Sequence, residues 1–358
     1  MRNVFPKKIL TMPVMMALGL TWAVGMLGSP ESRGAELCSA PHLKIEGDSS
    51  RHGLPPQVEK AGLVFAGKAI PISRRDVRER IVKEINYLLL DRRSRVLLWL
   101  ARADSLKPVM LPILRKYEVP PEFINLAAIE SSYDSRSLSS AGAYGYWQFI
   151  KSTAQCGPQG CNQYDWKMNI NKWKDERADL VNSTHAAAKY LAWINRVKKV
   201  SLSDKAEREG FNDWLLTAAA YNAGPSRVIQ RLCQFGATSY WDVPLPIETE
   251  RYVPRWIALS LISKYRDFYD VQIHQQHSVT FDTINKVRLK KDLSFVAMAK
   301  LLNTTPRDIW ALNTQIPPEK GVFPAKSGSA AIEHTIHVPK GTRQQFLAQL
   351  AAHGFTKK

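Results

Sequence analysis

The chain has 358 residues, with 50 Lys or Arg against 32 Asp or Glu, a formal net charge of +18. This length accommodates one large or two smaller domains, and hydrophobic and charged fractions of 45% and 23% exclude a disordered or collagen-like chain. The charge suits an anionic partner (nucleic acid, a membrane surface or an acidic envelope polymer), but no zinc-finger spacing, RNP-like strand or P-loop accompanies it, so we read it as an envelope feature.

Residues 1–35 read as a signal peptide or an uncleaved N-terminal membrane anchor. Arg2, Lys7 and Lys8 precede an apolar run from Ile9 to Leu27, broken by Pro13. No Ala-x-Ala site follows, and Ala35-Glu36-Leu37 makes Cys38 a poor lipid acceptor. Residues 36–72 scatter Gly, Pro, Ser and charge, the composition of a linker. Helical spacing starts at Ser73 and runs to Ala103: Val77, Ile81, Ile85 and Leu88/Leu89 form one stripe. Arginines line the other face, either solvated or against an anionic polymer. Leu106 to Tyr117 reads as another helix, and residues 73–110 as a helical lead-in.

Pro120 to Gln148 is the most informative stretch. Two prolines open it, as the first turn of a helix tolerates. On a helical wheel Phe123, Leu126 and Ala127 share one side, and Asn125 lies roughly opposite. Glu130 falls inside the apolar arc. A carboxyl there costs several kcal/mol if charged, so its pKa rises. A carboxyl kept neutral near pH 7 is what a general acid needs. The bland alternative is that Glu130 ends the helix in solvent or pairs with an arginine. Ser, Gly and Ala then dominate, with Gly142 and Gly145 permitting close approach of backbone to a ligand. A helix is expected to resume at Tyr146-Trp147-Gln148, placing the Gln148 amide at its start. Together these make a cleft for a neutral polar polymer such as a glycan.

Cys156 and Cys161, in Cys-Gly-Pro-Gln-Gly-Cys, suggest a small disulfide loop in an exported protein. Cys38 and Cys233 either pair or stay free. Asp175 to Lys198 is amphipathic, and His185 sits among alanines as a packed residue. Phe211 to Asn222 reads as a tightly packed helix broken by Ala223-Gly224-Pro225, which leaves Tyr221 and Asn222 at its end. Pro244 to Pro254 reads as a rigid extended connection carrying Glu248 and Tyr252. From Val271 the texture turns to short strands and short helices, a small α+β module, with Thr305-Pro306 as the cap and first residue of a helix ending at Leu312-Asn313. His274, His277, His334 and His337 follow no metal-ligand spacing, and no metal is expected.

Four motifs in order carry a resemblance: Glu130-Ser131, Ser140 to Gln148, Ala220-Tyr221-Asn222-Ala223-Gly224-Pro225, and Glu248-Thr249 with Tyr252-Val253-Pro254. They resemble the soluble-lytic-transglycosylase (SLT) domain of family 1 lytic transglycosylases, in particular the membrane-bound lytic murein transglycosylase D branch. The similarity covers roughly Val77 to Lys264. It implies a mainly α, goose-lysozyme-like catalytic domain, assigned to residues 111–270. Residues 271–358 resemble a LysM module in Leu293 to Asn313, with flanking strands that match less well. A Tyr146-Trp147 pair replaces the family's common Leu-Met, and the stretch from Cys156 to Trp173 looks inserted.

The resemblance implies that Glu130 protonates the glycosidic oxygen between N-acetylmuramic acid and N-acetylglucosamine in peptidoglycan glycan strands. It then takes the proton of the muramoyl C6 hydroxyl as that oxygen attacks C1 and closes a 1,6-anhydro ring. One carboxyl suffices where ordinary glycosidases use two. Ser131, Gln148, Tyr221, Asn222, Glu248 and Tyr252 are the implied substrate-binding residues, and Tyr144 and Trp147 are candidates for stacking on sugars. No cofactor is implied, and the implied location is the periplasm or cell envelope. Two other readings stay open: a muramidase, in which Asp134 activates water, and a non-catalytic peptidoglycan-binding protein.

Overall fold

The computed structural model describes residues 49–156, 166–196, 200–202, 206–208, 211–274 and 277–356. The apolar run from Ile9 to Leu27, Cys38 and Cys161 lie outside the described residues, and with them the signal or anchor and the disulfide. Among the described residues no helix is long and apolar enough to cross a membrane. Cys233 is a free, exposed thiol.

Helix α1 (Pro56–Ala61) leads into a hairpin of β1 (Leu63–Phe65) and β2 (Lys68–Ile70). This corrects the expected linker over residues 36–72. From Leu54 onward the segment is core: Leu54, Val58, Leu63, Phe65, Ile70 and Ile72 are all buried. Phe65 meets Trp256 edge-on at 4.6 Å. The turn residues Ala66 and Gly67 both take positive φ, as a two-residue hairpin requires.

The expected helix over 73–103 is divided differently. Helix α2 (Arg75–Asn86) gives way to a π-turn over Tyr87–Asp91, and α3 (Arg93–Lys116) runs on through Pro108 and Pro112. Val77, Ile81, Ile85 and Leu88 are fully buried, as their stripe requires. Helix α4 (Ile124–Ser131) packs between α3 and the later helix α9. It is buried on nearly every side, so the wheel's polar face is not solvated. Asn125 is buried too, and its Nδ2 donates to Ser260 Oγ at 2.9 Å.

Helices α5 (Lys151–Cys156), α6 (Leu180–Arg196), α7 (Trp214–Ala223) and α8 (Pro225–Phe235) continue the main core, with a short hairpin of β3 (Val200–Leu202) and β4 (Ala206–Arg208) between α6 and α7. Asp213 caps α7 by accepting from Leu215 and Leu216 N–H. Helix α9 spans Ile247–Lys264, so Glu248 and Tyr252 stand one turn apart on a helix rather than on an extended connection. Pro254 inside α9 leaves the Glu250 carbonyl without its helical donor. Tyr240 Oη at 2.8 Å and Arg80 Nη2 at 3.0 Å replace it.

The C-terminal module has its own core, with Leu293, Met298, Ile309, Ile336, Val338 and Phe346 in the middle. Its frame is β5 (Phe281–Arg288) paired antiparallel with a late strand, Glu333–Pro339. Between them come β6 (Leu293–Ser294), α10 (Phe295–Leu302), α11 (Pro306–Leu312) and β7 (Val322–Phe323), then β8 (Lys326–Ser327) and β9 (Ala330–Ala331). The late strand is β10, and α12 (Arg343–Ala352) closes the module. Thr305 caps α11 in a reciprocal capping box with Asp308, as Thr305-Pro306 predicts.

The module is docked, not tethered. Thr314 Oγ1 donates to Ala178 O at 2.6 Å, and Asp175 N–H donates to Gln315 O at 2.9 Å. His337 Nε2 meets Asp179 Oδ2 at 3.0 Å, both side chains fully buried. Burial pushes the Asp179 carboxyl up, but the His337 charge and hydrogen bond and two backbone N–H groups hold it below its ordinary range. His334 is buried against Pro324 O.

Candidate active site

Helix α4 ends one residue after Glu130, and its ending places the acid. Ser132 and Tyr133 both take left-handed backbone (φ 57° and 56°), an uncommon pair of non-glycine residues. Their N–H groups satisfy the last carbonyls of α4, those of Ala128 and Ala127. The Tyr133 hydroxyl reaches back to Ile124 O at 3.0 Å. The chain turns sharply there, leaving Glu130 at the lip of the core, partly buried.

The loop from Ser135 to Phe149 returns beside the acid, held by four side chains. Ser131 Oγ is shared between its own helix (Ala127 O, 3.1 Å) and Tyr146 O (2.8 Å). Tyr221 Oη donates to Trp147 O at 2.7 Å. Gln148 Nε2 donates to Ser137 O and Gly145 O, each at 2.9 Å. Arg177 Nη1 grips Gly142 O and Phe149 O, each at 3.0 Å, while Asp175 fixes the rest of the guanidinium. Gly145 lies against the Arg177 backbone so closely that a Cβ there falls 1.9 Å from Arg177 O, at φ +81°. Only glycine fits.

Two sequence expectations are corrected here. Gln148 does not open a helix: it occupies a turn at φ 49°, and α5 begins at Lys151. Trp147 does not face sugars: it is fully buried, with Nε1 on Thr184 Oγ1 at 3.0 Å. Tyr144 is partly buried beneath Arg177, 5.2 Å from guanidinium to ring centre.

Opposite the loop stands α9. Tyr252, buried, donates its hydroxyl to Glu130 Oε1 at 2.5 Å. One turn earlier Glu248 is exposed and accepts from Asn222 Nδ2 at 3.3 Å. Asn222 Oδ1 accepts from Thr249 Oγ1 at 2.8 Å. The ends of α4, α7 and α9 therefore meet, and Glu130, Ser131, Gln148, Tyr221, Asn222, Glu248 and Tyr252 come together from separate parts of the chain.

Burial raises the Glu130 pKa to about 7, the Tyr252 hydrogen bond pulls against that rise, and the Glu248 charge adds to it. Burial pushes the phenols of Tyr221 and Tyr252 well above their ordinary value, so both stay protonated donors. Glu130 opens into a cleft of about 270 Å³, lined also by Ser132, Ser137, Arg92, Arg95 and Arg255. Asp134 lines a different cavity, of about 430 Å³, with Arg102 and Arg136. Among the described residues no group of three or more His, Cys, Asp or Glu could hold a metal ion. His185 bonds Tyr117 Oη at 3.0 Å, away from the acid.

Residues 112–243 match the family model described as transglycosylase SLT domain. This stretch of the chain is an SLT-domain match. The membrane-bound lytic murein transglycosylase D of Escherichia coli is 31% identical over 243 residues, 67% of this chain and 47% of that protein. The chain thus spans about half the length of this relative. Among solved structures, the 70 kDa soluble lytic transglycosylase of Escherichia coli is 18% identical, with TM-score 0.34 over 56% of this chain and 32% of that one. An inactive mutant of the lytic transglycosylase Slt from Pseudomonas aeruginosa is 19% identical, with TM-score 0.33 over 46% and 24%. The assignment rests on the sequence matches.

Within the matched SLT domain lie Glu130, Ser131, Gln148, Tyr221 and Asn222; Glu248 and Tyr252 follow it on α9. Sequence reasoning missed Arg177, whose guanidinium organises the glycine loop of the SLT domain. An arginine two residues after an aspartate was its one visible trace. Sequence reasoning left Arg92 and Arg95 between a solvated face and one against an anionic polymer, and did not single out Arg255; all three line the cleft.

Proposed function

We propose that this protein is a peptidoglycan lytic transglycosylase with Glu130 as its general acid and base. The observation that carries this is a carboxyl with a pKa of about 7, hydrogen-bonded by Tyr252, at the cleft of an SLT domain. Near neutral pH it holds its proton and can give it up. The proton goes to the glycosidic oxygen as the muramoyl C1–O bond breaks. The C6 hydroxyl then bonds to C1 and loses its proton to the Glu130 carboxylate, which restores the acid. No water enters, so no second carboxylate is required. Asp134, the residue a hydrolytic reading would use, faces another cavity.

Ser131, Tyr221 and Gln148 use their donors on the glycine loop. Their contribution to sugar binding is therefore the loop's shape, with the Gln148 carbonyl and the Asn222–Glu248 pair turned to the substrate. The N-terminal residues serve export to, or anchoring in, the cell envelope, and the LysM-like module adds contact to the wall.

The test is mass spectrometry of muropeptides released from purified sacculi by the full-length protein and by Glu130→Gln. Anhydro-muropeptides from the parent and none from the variant are expected. Reducing-end products overturn the transglycosylase reading in favour of hydrolysis; bound protein without products favours a wall-binding role.

A further inference from the structure

The proposed reaction uses none of the arginines on the wall of the acid cleft. Arg92, Arg95 and Trp99 fall at i, i+3 and i+7 around the start of α3, so they share a face. All three line the cleft with Glu130, and Arg255 lines it from α9. Tyr87 is the hub behind them: Arg92, Arg251 and Arg255 place their guanidinium groups 5.5, 5.1 and 5.0 Å from its ring centre. Glu84, buried, pairs with Arg251 at 2.6 Å and Arg255 at 2.8 Å. Arg92 Nε donates to Tyr87 Oη at 2.8 Å.

Arg95 is different. It is exposed, and among the described residues no acid or hydrogen-bond acceptor engages it. Beside it the Trp99 indole is buried, and its Nε1 has no acceptor. A buried donor without a partner is uncommon and costly. Three guanidinium groups line the cleft, and of these only Arg255 is paired with the buried Glu84 carboxylate, so the wall carries surplus positive charge and unused donors. A neutral sugar ring needs neither. A carboxylate needs both, and a guanidinium fork matches its two oxygens.

On the transglycosylase reading, on which this inference rests, the sugar beside Glu130 is a muramic acid whose lactyl ether ends in a carboxyl. That carboxyl is free once the stem peptide has been removed; otherwise the peptide brings its own carboxylates. We infer that Arg95, with Arg92 and the Trp99 N–H, forms a carboxylate subsite beside the acid, so that the protein selects strands presenting a carboxylate near the bond to be cleaved.

The test is calorimetric binding of soluble glycan strands to the full-length Glu130→Gln chain, with and without Arg95→Ala or Arg95→Lys. Three ligands separate the sources: peptide-bearing strands, strands stripped of peptide by an amidase, and stripped strands whose carboxyls are converted to amides with carbodiimide and ammonia. Arg95→Ala is expected to weaken binding about tenfold where a carboxylate is recognised and less than twofold on the amidated strands. Arg95→Lys, keeping charge but not the fork, falls between. Loss on stripped strands assigns the lactyl carboxylate; loss confined to peptide-bearing strands assigns the stem. Equal weakening on amidated strands, or no weakening on any, overturns the subsite. Arg95-dependent binding by a chain whose parent releases no products leaves the subsite standing and removes the transglycosylase reading. No binding to any strand removes both.

Discussion

Replacing Glu130 by Gln should stabilise the protein at alkaline pH and leave acid stability unchanged. The wild-type carboxyl titrates near pH 7 in the folded chain, against an ordinary value of 4.5. The folded state therefore holds a proton that the unfolded state releases between about pH 4.5 and about pH 7, and stability falls as pH rises through that window. At about 1.4 kcal/mol per pH unit, the cost at pH 8 approaches about 3 kcal/mol. Glutamine keeps the shape, accepts the Tyr252 hydrogen bond on its amide oxygen, and carries no charge. The difference in unfolding free energy between variant and parent should be about 3 kcal/mol at pH 8, shrink through pH 6, and disappear near pH 4. Urea unfolding followed by circular dichroism at those three pH values measures it. A difference that is independent of pH, or a variant less stable at pH 8, refutes the argument that burial keeps this carboxyl protonated.

Three further outcomes follow from the same geometry. Tyr252→Phe removes the hydrogen bond that holds the Glu130 pKa down, so the alkaline limb of the pH–rate profile on sacculi should move up by about one to two units; a limb that stays in place would falsify the pairing. Gly145→Ala should cost about 3 kcal/mol in chemical denaturation, because its Cβ falls 1.9 Å from Arg177 O. Gly142→Ala, at φ +79° with open space, should cost only about 1 kcal/mol. Asp179, held below its ordinary pKa by His337, stabilises the docked module at neutral pH, and this is lost as pH falls through its folded pKa. Hydrogen-exchange protection at residues 313–316, taken relative to the intrinsic rate at each pH, should therefore fall in acid. Asp179→Asn should show fast exchange already at pH 7.

The part-buried placement and raised pKa of Glu130 were legible because a carboxyl among apolar helical neighbours is costly to charge, and that argument needs only periodicity. The glycine pair of the following loop, the ending of α7 at Ala223-Gly224-Pro225 and the capped start of α11 were legible for the same local reasons: positive φ, missing N–H groups and side-chain caps act within a few residues. The hairpin of β1 and β2 was not, since two three-residue strands between Gly and Pro look like linker until Phe65 meets Trp256. Nor was the continuation of helix through Pro254, which depends on Tyr240 and Arg80 satisfying a carbonyl from distant positions.

The sequence by itself determined the helical class, the apolar placement of Glu130 and the order of motifs that matches the SLT domain, because these rest on spacing and local backbone chemistry. Only the tertiary structure decided what the polar residues of those motifs do. A hydroxyl or amide in a sequence has no direction. Folding pointed those of Ser131, Tyr221 and Gln148 at backbone carbonyls of the loop, set Trp147 in the core, turned Asp134 into another cavity, and brought Arg95 from α3 to the side of Glu130 without an acid of its own.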